Sequence, residues 1–234
     1  MLPGTVLITR PEPGASETAA RVTAMGLTPI VAPFLEIRPI SASLPSAQRI
    51  AAIILASGNA VDPLPEHYRG LPVLTVGAAT ARRAKMAGFA NVASADGDAS
   101  ALALLVRARI DRKDGTLLLV AGRRQSLVLA ADLRQSGYRV ARRVVYTAEP
   151  VTSLPPAAMT ALTTGQARNV LFFSTETACC FMRLVHAAGL IDALRNCEAI
   201  TIGAQVGVAL KGEYWARVSV AGKPTQDEML ALLR

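Results

Sequence analysis

Six places in this 234-residue chain set a small or hydroxyl residue directly after an aliphatic run: Thr9-Arg10, Ser57-Gly58, Gly77-Ala-Ala-Thr80, Ala121-Gly122-Arg123, Ser174-Thr175 and Gly203. Where a strand gives way to a helix, the first helical N–H groups lack partners and can donate to carboxylates or phosphates. Open α/β sheets bind ligands at this carboxyl edge. Ser57, Thr80, Ser174 and Thr175 serve equally well as helix caps, and the pattern leaves both uses open. Tyr146 adds a titratable group of another kind. A phenol with an ordinary pKa of about 10 stays protonated at neutral pH, so it can donate a hydrogen bond or a proton. Its setting, Val144-Val-Tyr, suits a strand-edge tyrosine as well. Arg10, ahead of Pro11-Glu-Pro-Gly, either faces a ligand cleft or pairs with Glu12.

Other chemistries are excluded by what the sequence lacks. There are two histidines, His67 and His186, far apart in sequence, so a multi-histidine metal centre is ruled out and a Ser-His-Asp triad is not expected. Of the cysteines, Cys179 and Cys180 are adjacent and Cys197 stands alone; none lies in a Cys-x-x-Cys, so neither a disulfide framework nor a zinc site follows. No strand is followed by G-x-G-x-x-G or a Walker loop, which speaks against NAD or ATP.

The elements that hold these residues must be built from small side chains. The chain has 42 alanines, 51% hydrophobic and 4% aromatic residues, enough apolar matter for a sizeable core. Its longest aliphatic stretch, Ile50 to Ala56, is far too short for a bilayer. Met1-Leu-Pro-Gly-Thr runs into a strand pattern without a basic region, so no signal peptide is expected and the expected location is cytoplasmic. The formal charge is +8, and 21 of the 25 cations are arginine, whose planar fork suits carboxylate or phosphate. Arg82-Arg83, Arg123-Arg124 and Arg142-Arg143 are dispersed pairs and read as solvated surface. A nucleic-acid partner would demand concentrated cations and a recognisable motif, and none is expected.

Aliphatic runs alternate with alanine-rich segments of helical period that end at glycine, the signature of parallel, doubly wound sheets. The alternation also repeats. Leu7-Ile-Thr with Gly26 answers Leu119-Val-Ala with Gly137, and Ile54-Leu-Ala-Ser57 answers Leu171-Phe-Phe-Ser174. Leu74-Thr-Val-Gly77 answers Ile200-Thr-Ile-Gly203, and Leu102-Ala-Leu-Leu105 answers Leu230-Ala-Leu-Leu233. Thr225-Gln-Asp-Glu228 is a capping box and predicts a final helix. Two proline-bounded extended segments, 33–39 and 144–150, occupy equivalent places and are expected to carry the chain between domains. The predicted fold is therefore two similar doubly wound α/β domains joined by a two-strand hinge, one inserted in the other. The domains would be 1–36 plus 150–234, and 37–149, with a ligand cleft between them.

Taken together, Val6-Leu-Ile-Thr-Arg-Pro-Glu-Pro-Gly, Ile54-Leu-Ala-Ser-Gly-Asn-Ala-Val, Val73-Leu-Thr-Val-Gly-Ala-Ala-Thr-Ala and Val144-Val-Tyr resemble the uroporphyrinogen-III synthase family. Phe172-Phe-Ser-Thr-Glu-Thr-Ala and Ile200-Thr-Ile-Gly continue the resemblance in order, over nearly the whole chain. It implies a cofactor-free lyase that closes the linear tetrapyrrole hydroxymethylbilane to uroporphyrinogen III, with loss of water and inversion of ring D, in the interdomain cleft. The terminal hydroxyl departs to leave an azafulvene, ring D attacks through its substituted carbon to give a spiro intermediate, and fragmentation with reclosure completes the inversion. Uncatalysed closure gives the uninverted isomer, so the implied catalysis is orientation assisted by an acid.

By matching position, the resemblance makes Tyr146 the proton donor and Thr80 a hydroxyl of the cleft. Ser57 and Ser174 would hold acetate or propionate groups, and Arg10, Arg123 and Arg124 would meet substrate carboxylates. Gly122, Thr175 and Gly203 complete the expected substrate-binding positions, and no metal is implied. The resemblance further implies a monomer, with transient contact to the upstream bilane-forming enzyme. The sequence departs from the pattern after Gly203, where many members have Pro and then a threonine but this chain reads Ala-Gln-Val206; Gln205 or Val206 stands where that threonine would contribute. Ser57-Gly-Asn also lacks the Pro-Arg of some relatives. The competing reading is a non-catalytic protein of the same fold that binds an anionic tetrapyrrole.

Overall fold

The computed structural model describes residues 4–210 and 214–233; the Met1-Leu-Pro stretch on which the signal-peptide reading rests lies outside them. The chain opens with β1 (Thr5–Ile8), α1 (Gly14–Ala24), β2 (Thr28–Val31), β3 (Leu35–Pro39) and β4 (Ile50–Leu55). It continues through β5 (Val73–Thr75), α2 (Ala78–Met86), β6 (Val92–Ser94), α3 (Ala99–Arg109), β7 (Thr116–Gly122), α4 (Leu127–Gln135) and β8 (Arg139–Pro150). The remaining elements are α5 (Pro156–Thr163), β9 (Asn169–Phe172), α6 (Thr175–Ala187), β10 (Glu198–Thr201), α7 (Ala204–Ala209), β11 (Arg217–Val220) and α8 (Gln226–Leu230).

The chain forms two compact units, one holding residues up to Glu36 and from Glu149 onward, the other Ile37–Ala148. The first is organised on a five-stranded sheet in the order β11-β10-β9-β1-β2, the second on a six-stranded sheet in the order β3-β8-β7-β4-β5-β6. The strand pairs with a defined register are parallel throughout. The chain changes unit within β3 and again within β8.

Alternation along each strand loads both faces of each sheet. In the first unit, Leu7 and Phe172 enter a cluster with α5 and α6, while Val6, Ile8 and Leu171 pack under α1 and α8. In the second, Ile53, Leu55, Leu118 and Val120 face one core; Ala52, Ile54, Leu117 and Leu119 face the other, against α3 and α4. A sheet buried on both sides needs apolar residues at successive positions, which explains the unbroken runs Ile-Ile-Leu and Leu-Leu-Leu-Val. Gly26 and Gly137 end α1 and α4 with φ of +77° and +88°, a left-handed backbone that glycine adopts without a Cβ penalty. α8 starts as its capping box predicts, with the Glu228 N–H donating to Thr225 Oγ1 at 3.4 Å.

The repeated segments occupy matching sheet positions, but each sheet mixes the two halves of the chain. β1 and β2 of the first half stand beside β9, β10 and β11 of the second, whereas β7 and β8 of the second stand beside β4, β5 and β6 of the first. Both sheets thus have one spatial order, made from a two-strand piece of one half and a three-strand piece of the other.

Candidate functional site

The carboxyl edge of the second unit's sheet gathers six of the expected residues: Ser57 after β4, Thr80 in α2, Gly122, Arg123 and Arg124 at and after β7, and Tyr146 on β8. A pocket of about 640 Å³ opens there between the ends of β4 and β5 and the first turns of α3 and α4. Ser57, Arg124, Gln125 and Ser126 supply its polar wall, and Val76, Leu127 and Leu129 are among its apolar residues. Of the six, Ser57 and Arg124 line the pocket; Thr80 and Tyr146 are buried, Arg123 is exposed, and these three and Gly122 are not among its lining residues.

Tyr146 owes its direction to an irregularity in the ladder. The β7–β8 register pairs Ala121 with Val144 but Gly122 with Tyr146, so one residue of β8 is unpaired. Simple alternation would send Val145 and Tyr146 to opposite faces, yet both join the same core cluster. The phenol ring then lies across Gly122, where a Cβ would come within 2.7 Å of ring carbon Cε2. That contact requires glycine at 122. The Tyr146 hydroxyl donates to Gln125 Oε1. Burial raises its pKa above the ordinary phenol value, while Ser57, the Gly122 backbone and Gln125 pull it down. Burial dominates, so the phenol is neutral at physiological pH.

The loop behind this tyrosine is tightly held. The Gln125 N–H donates to the Gly122 carbonyl at 3.1 Å, and the Arg123 N–H donates to the Tyr146 carbonyl at 3.0 Å. Arg142 Nη2 reaches the carbonyls of Gly122, Arg123 and Gln125 at 2.8, 3.0 and 2.8 Å, and its Nε meets Gln125 at 3.1 Å. Ser57 uses its hydroxyl as a cap, accepting from the Asn59 N–H at 3.3 Å.

The other four expected residues lie at the carboxyl edge of the first unit's sheet. Arg10 follows β1 and turns inward, its guanidinium 4.3 Å from the centre of the Phe173 ring and 3.4 Å from Thr18 Oγ1. Burial lowers its pKa from the ordinary value, opposed by the nearby carboxylates of Glu17 and Glu12. It lies so close over Gly14 that a Cβ there would overlap the guanidinium. Glu12 instead takes the Ser16 N–H and hydroxyl at 3.1 and 2.8 Å. Ser174 caps α6 by accepting from the Thr177 N–H at 3.2 Å; Thr175 is exposed in the first turn, and Gly203 precedes α7 with open space beside it. After Gly203, Gln205 is exposed and Val206 buried in the core.

The family model "Uroporphyrinogen-III synthase HemD" matches residues 16–231. The chain belongs to the uroporphyrinogen-III synthase family. Its fold is similar to that of a uroporphyrinogen-III synthetase from Helicobacter pylori, with a TM-score of 0.63 and 17% identity over 99% of this chain and 98% of that one. A mutant uroporphyrinogen III synthase from the extremely thermophilic bacterium Thermus thermophilus gives 0.50 and 20% over 97% and 96%. No curated protein matches the chain.

Two residues at this edge escaped the sequence reading. Gln125 carries no motif. Arg142 belongs to a pair read as solvated surface, although Arg142 is only partly exposed and is spent on the loop. On β8 it stands opposite Leu119, midway along β7, and only its side chain reaches the loop beyond that strand. Among the described residues no helix is long and apolar enough to cross a membrane, and no cluster of three or more His, Cys, Asp or Glu is placed to hold a metal ion.

Proposed function

We propose that this member of the uroporphyrinogen-III synthase family works as a hydro-lyase without a cofactor, closing hydroxymethylbilane with Tyr146 as its acid. The observation that carries the residue-level reading is the neutral, buried phenol bonded to a wall of the pocket. The conversion loses water and transfers no net electrons, so an acid and a fixed geometry meet its chemical needs. Tyr146 gives its proton to the departing terminal hydroxyl as the C–O bond breaks, water leaves, and the pyrrole nitrogen supplies the electrons that form the azafulvene. The phenolate left behind takes back a proton at the close of the cycle.

Orientation remains the larger task, because the disfavoured carbon of ring D must be the one that attacks. Ser57, Arg124 and the first-turn N–H groups of α4 are the groups proposed to hold carboxylate arms of the substrate in the pocket. Arg123 contributes charge at the same edge, and Thr80 and Gly122 shape it from behind. Arg10, Ser174, Thr175 and Gly203 are proposed as carboxylate contacts at the corresponding edge of the other sheet. The protein is expected to act as a cytoplasmic monomer, in transient contact with the enzyme that supplies the bilane.

The test generates hydroxymethylbilane in situ, adds purified protein without metals or nucleotides, oxidises the products and separates porphyrin isomers I and III by chromatography. A clear excess of isomer III supports a cofactor-free synthase. Isomer I alone, from folded protein, leaves a binding protein of the same fold.

A further inference from the structure

Gln125 has two faces. Its side chain is exposed and forms part of the pocket wall, yet its Oε1 is the acceptor for the buried Tyr146 hydroxyl. The phenol's proton therefore points at Gln125, and while it does so it cannot be given to a substrate. A carboxamide has a donor end beside its acceptor end. Turned over, Gln125 would offer an N–H to the phenolate that remains after proton transfer. The backbone beside it is under strain: Ser126 has φ +59°, a left-handed conformation that an L residue rarely adopts. Arg142 opposes that strain with hydrogen bonds to three of the carbonyls just before it.

We propose that Gln125 is the positioning residue for Tyr146, holding the phenol's proton until the pocket fills and then donating to the phenolate, and that Arg142 fixes Gln125 in place for this work. The inference rests on the reading of Tyr146 as the acid. It assigns Gln125 no bond-breaking role; the proton that leaves with the hydroxyl is the tyrosine's own. Arg142 acts one step further away, through the loop backbone.

A double-mutant cycle tests this, with kcat and KM measured separately for isomer III formation. Gln125→Met keeps the length of the side chain and removes both hydrogen-bonding ends. If the proposal holds, it lowers kcat about tenfold or more while KM changes little, since a hydrogen bond to a charged oxygen is being lost at the step that forms it. Tyr146→Phe lowers kcat further, and the Tyr146→Phe/Gln125→Met double variant is no slower than Tyr146→Phe alone. Arg142→Ala also lowers kcat, Arg142→Lys restores part of it, and neither variant slows Gln125→Met further. If Tyr146→Phe slows the reaction but Gln125→Met does not, or if their effects multiply, the role of Gln125 is overturned and the acid stands. If Tyr146→Phe itself leaves kcat intact, both readings fall together. Circular dichroism and urea midpoints for each variant separate these outcomes from a loss of fold.

Discussion

The two units of this chain are one frame used in two ways. Their sheets share the order β8-β7-β4-β5-β6 and β2-β1-β9-β10-β11, and several strand ends match in detail. Thr75 Oγ1 donates to the carbonyls of Gly77 and Ala93, and Thr201 Oγ1 to those of Gly203 and Ser219. Ser57 and Ser174 cap equivalent turns. The charge does not match: Ile37–Ala148 holds 16 Lys and Arg against seven Asp and Glu, net +9, while the rest of the chain holds nine against ten, net −1. The whole basic excess sits in one unit. The aromatic residue beside the end of the outer strand differs too. Both are fully buried, but the Tyr146 hydroxyl donates to Gln125 of the pocket wall, whereas the Phe34 ring lies 5.0 Å from that of Phe181. A shared fold thus supplies positions, and the side chains placed there decide which unit does chemistry.

The largest break in this comparison comes from Tyr146→Phe, which makes the second unit resemble the first. Its kcat for isomer III falls by about 10²–10⁴, the usual worth of a general acid, with the thermal midpoint little changed. Gly122→Ala pushes a Cβ into the phenol ring, and a displaced acid lowers kcat by about tenfold to a hundredfold. In the first unit Gly203→Ala, at the glycine that answers Gly77 and beside open space, leaves stability within about 0.5 kcal/mol, as urea denaturation will show. The reverse exchange, Phe34→Tyr, buries a hydroxyl in an apolar core and costs about 1–3 kcal/mol in the same measurement. Arg124→Ala raises KM about two- to fivefold, and added salt shrinks that difference because screening weakens exposed charges. The smallest effects sharpen the likeness of the caps: Asp98→Ala loses two N–H contacts at 2.9 and 3.0 Å and costs about 1 kcal/mol, Thr225→Ala loses one at 3.4 Å and costs about half that.

Much of the frame could be read from residues. The pairing of Leu7 with Leu119, Ile54 with Leu171 and Leu74 with Ile200 lands on equivalent strands because each pair must fill the same place between two helical layers. The hydroxyls and glycines at strand ends lie where the pattern puts them, since the register of a parallel strand fixes where its helix begins. Tyr146 was visible as a phenol in a strand. Its partner was not, because Gln125 has no pattern and becomes relevant only when β7 and β8 lie side by side.

The sequence by itself determined the class of fold, the repeat, the caps at Ser57, Ser174 and Thr225 but not at Thr80 or Thr175, which lie inside their helices, and the family, because local periodicity, turn chemistry and ordered short motifs are all written within a few residues of one another. Tertiary structure alone decided which arginine is spent on carbonyls and which way Tyr146 points. Those outcomes depend on contacts between segments far apart in the chain. One unpaired residue in β8 turns the phenol over Gly122. Sequence periodicity carries no record of a register shift that arises only when two strands meet.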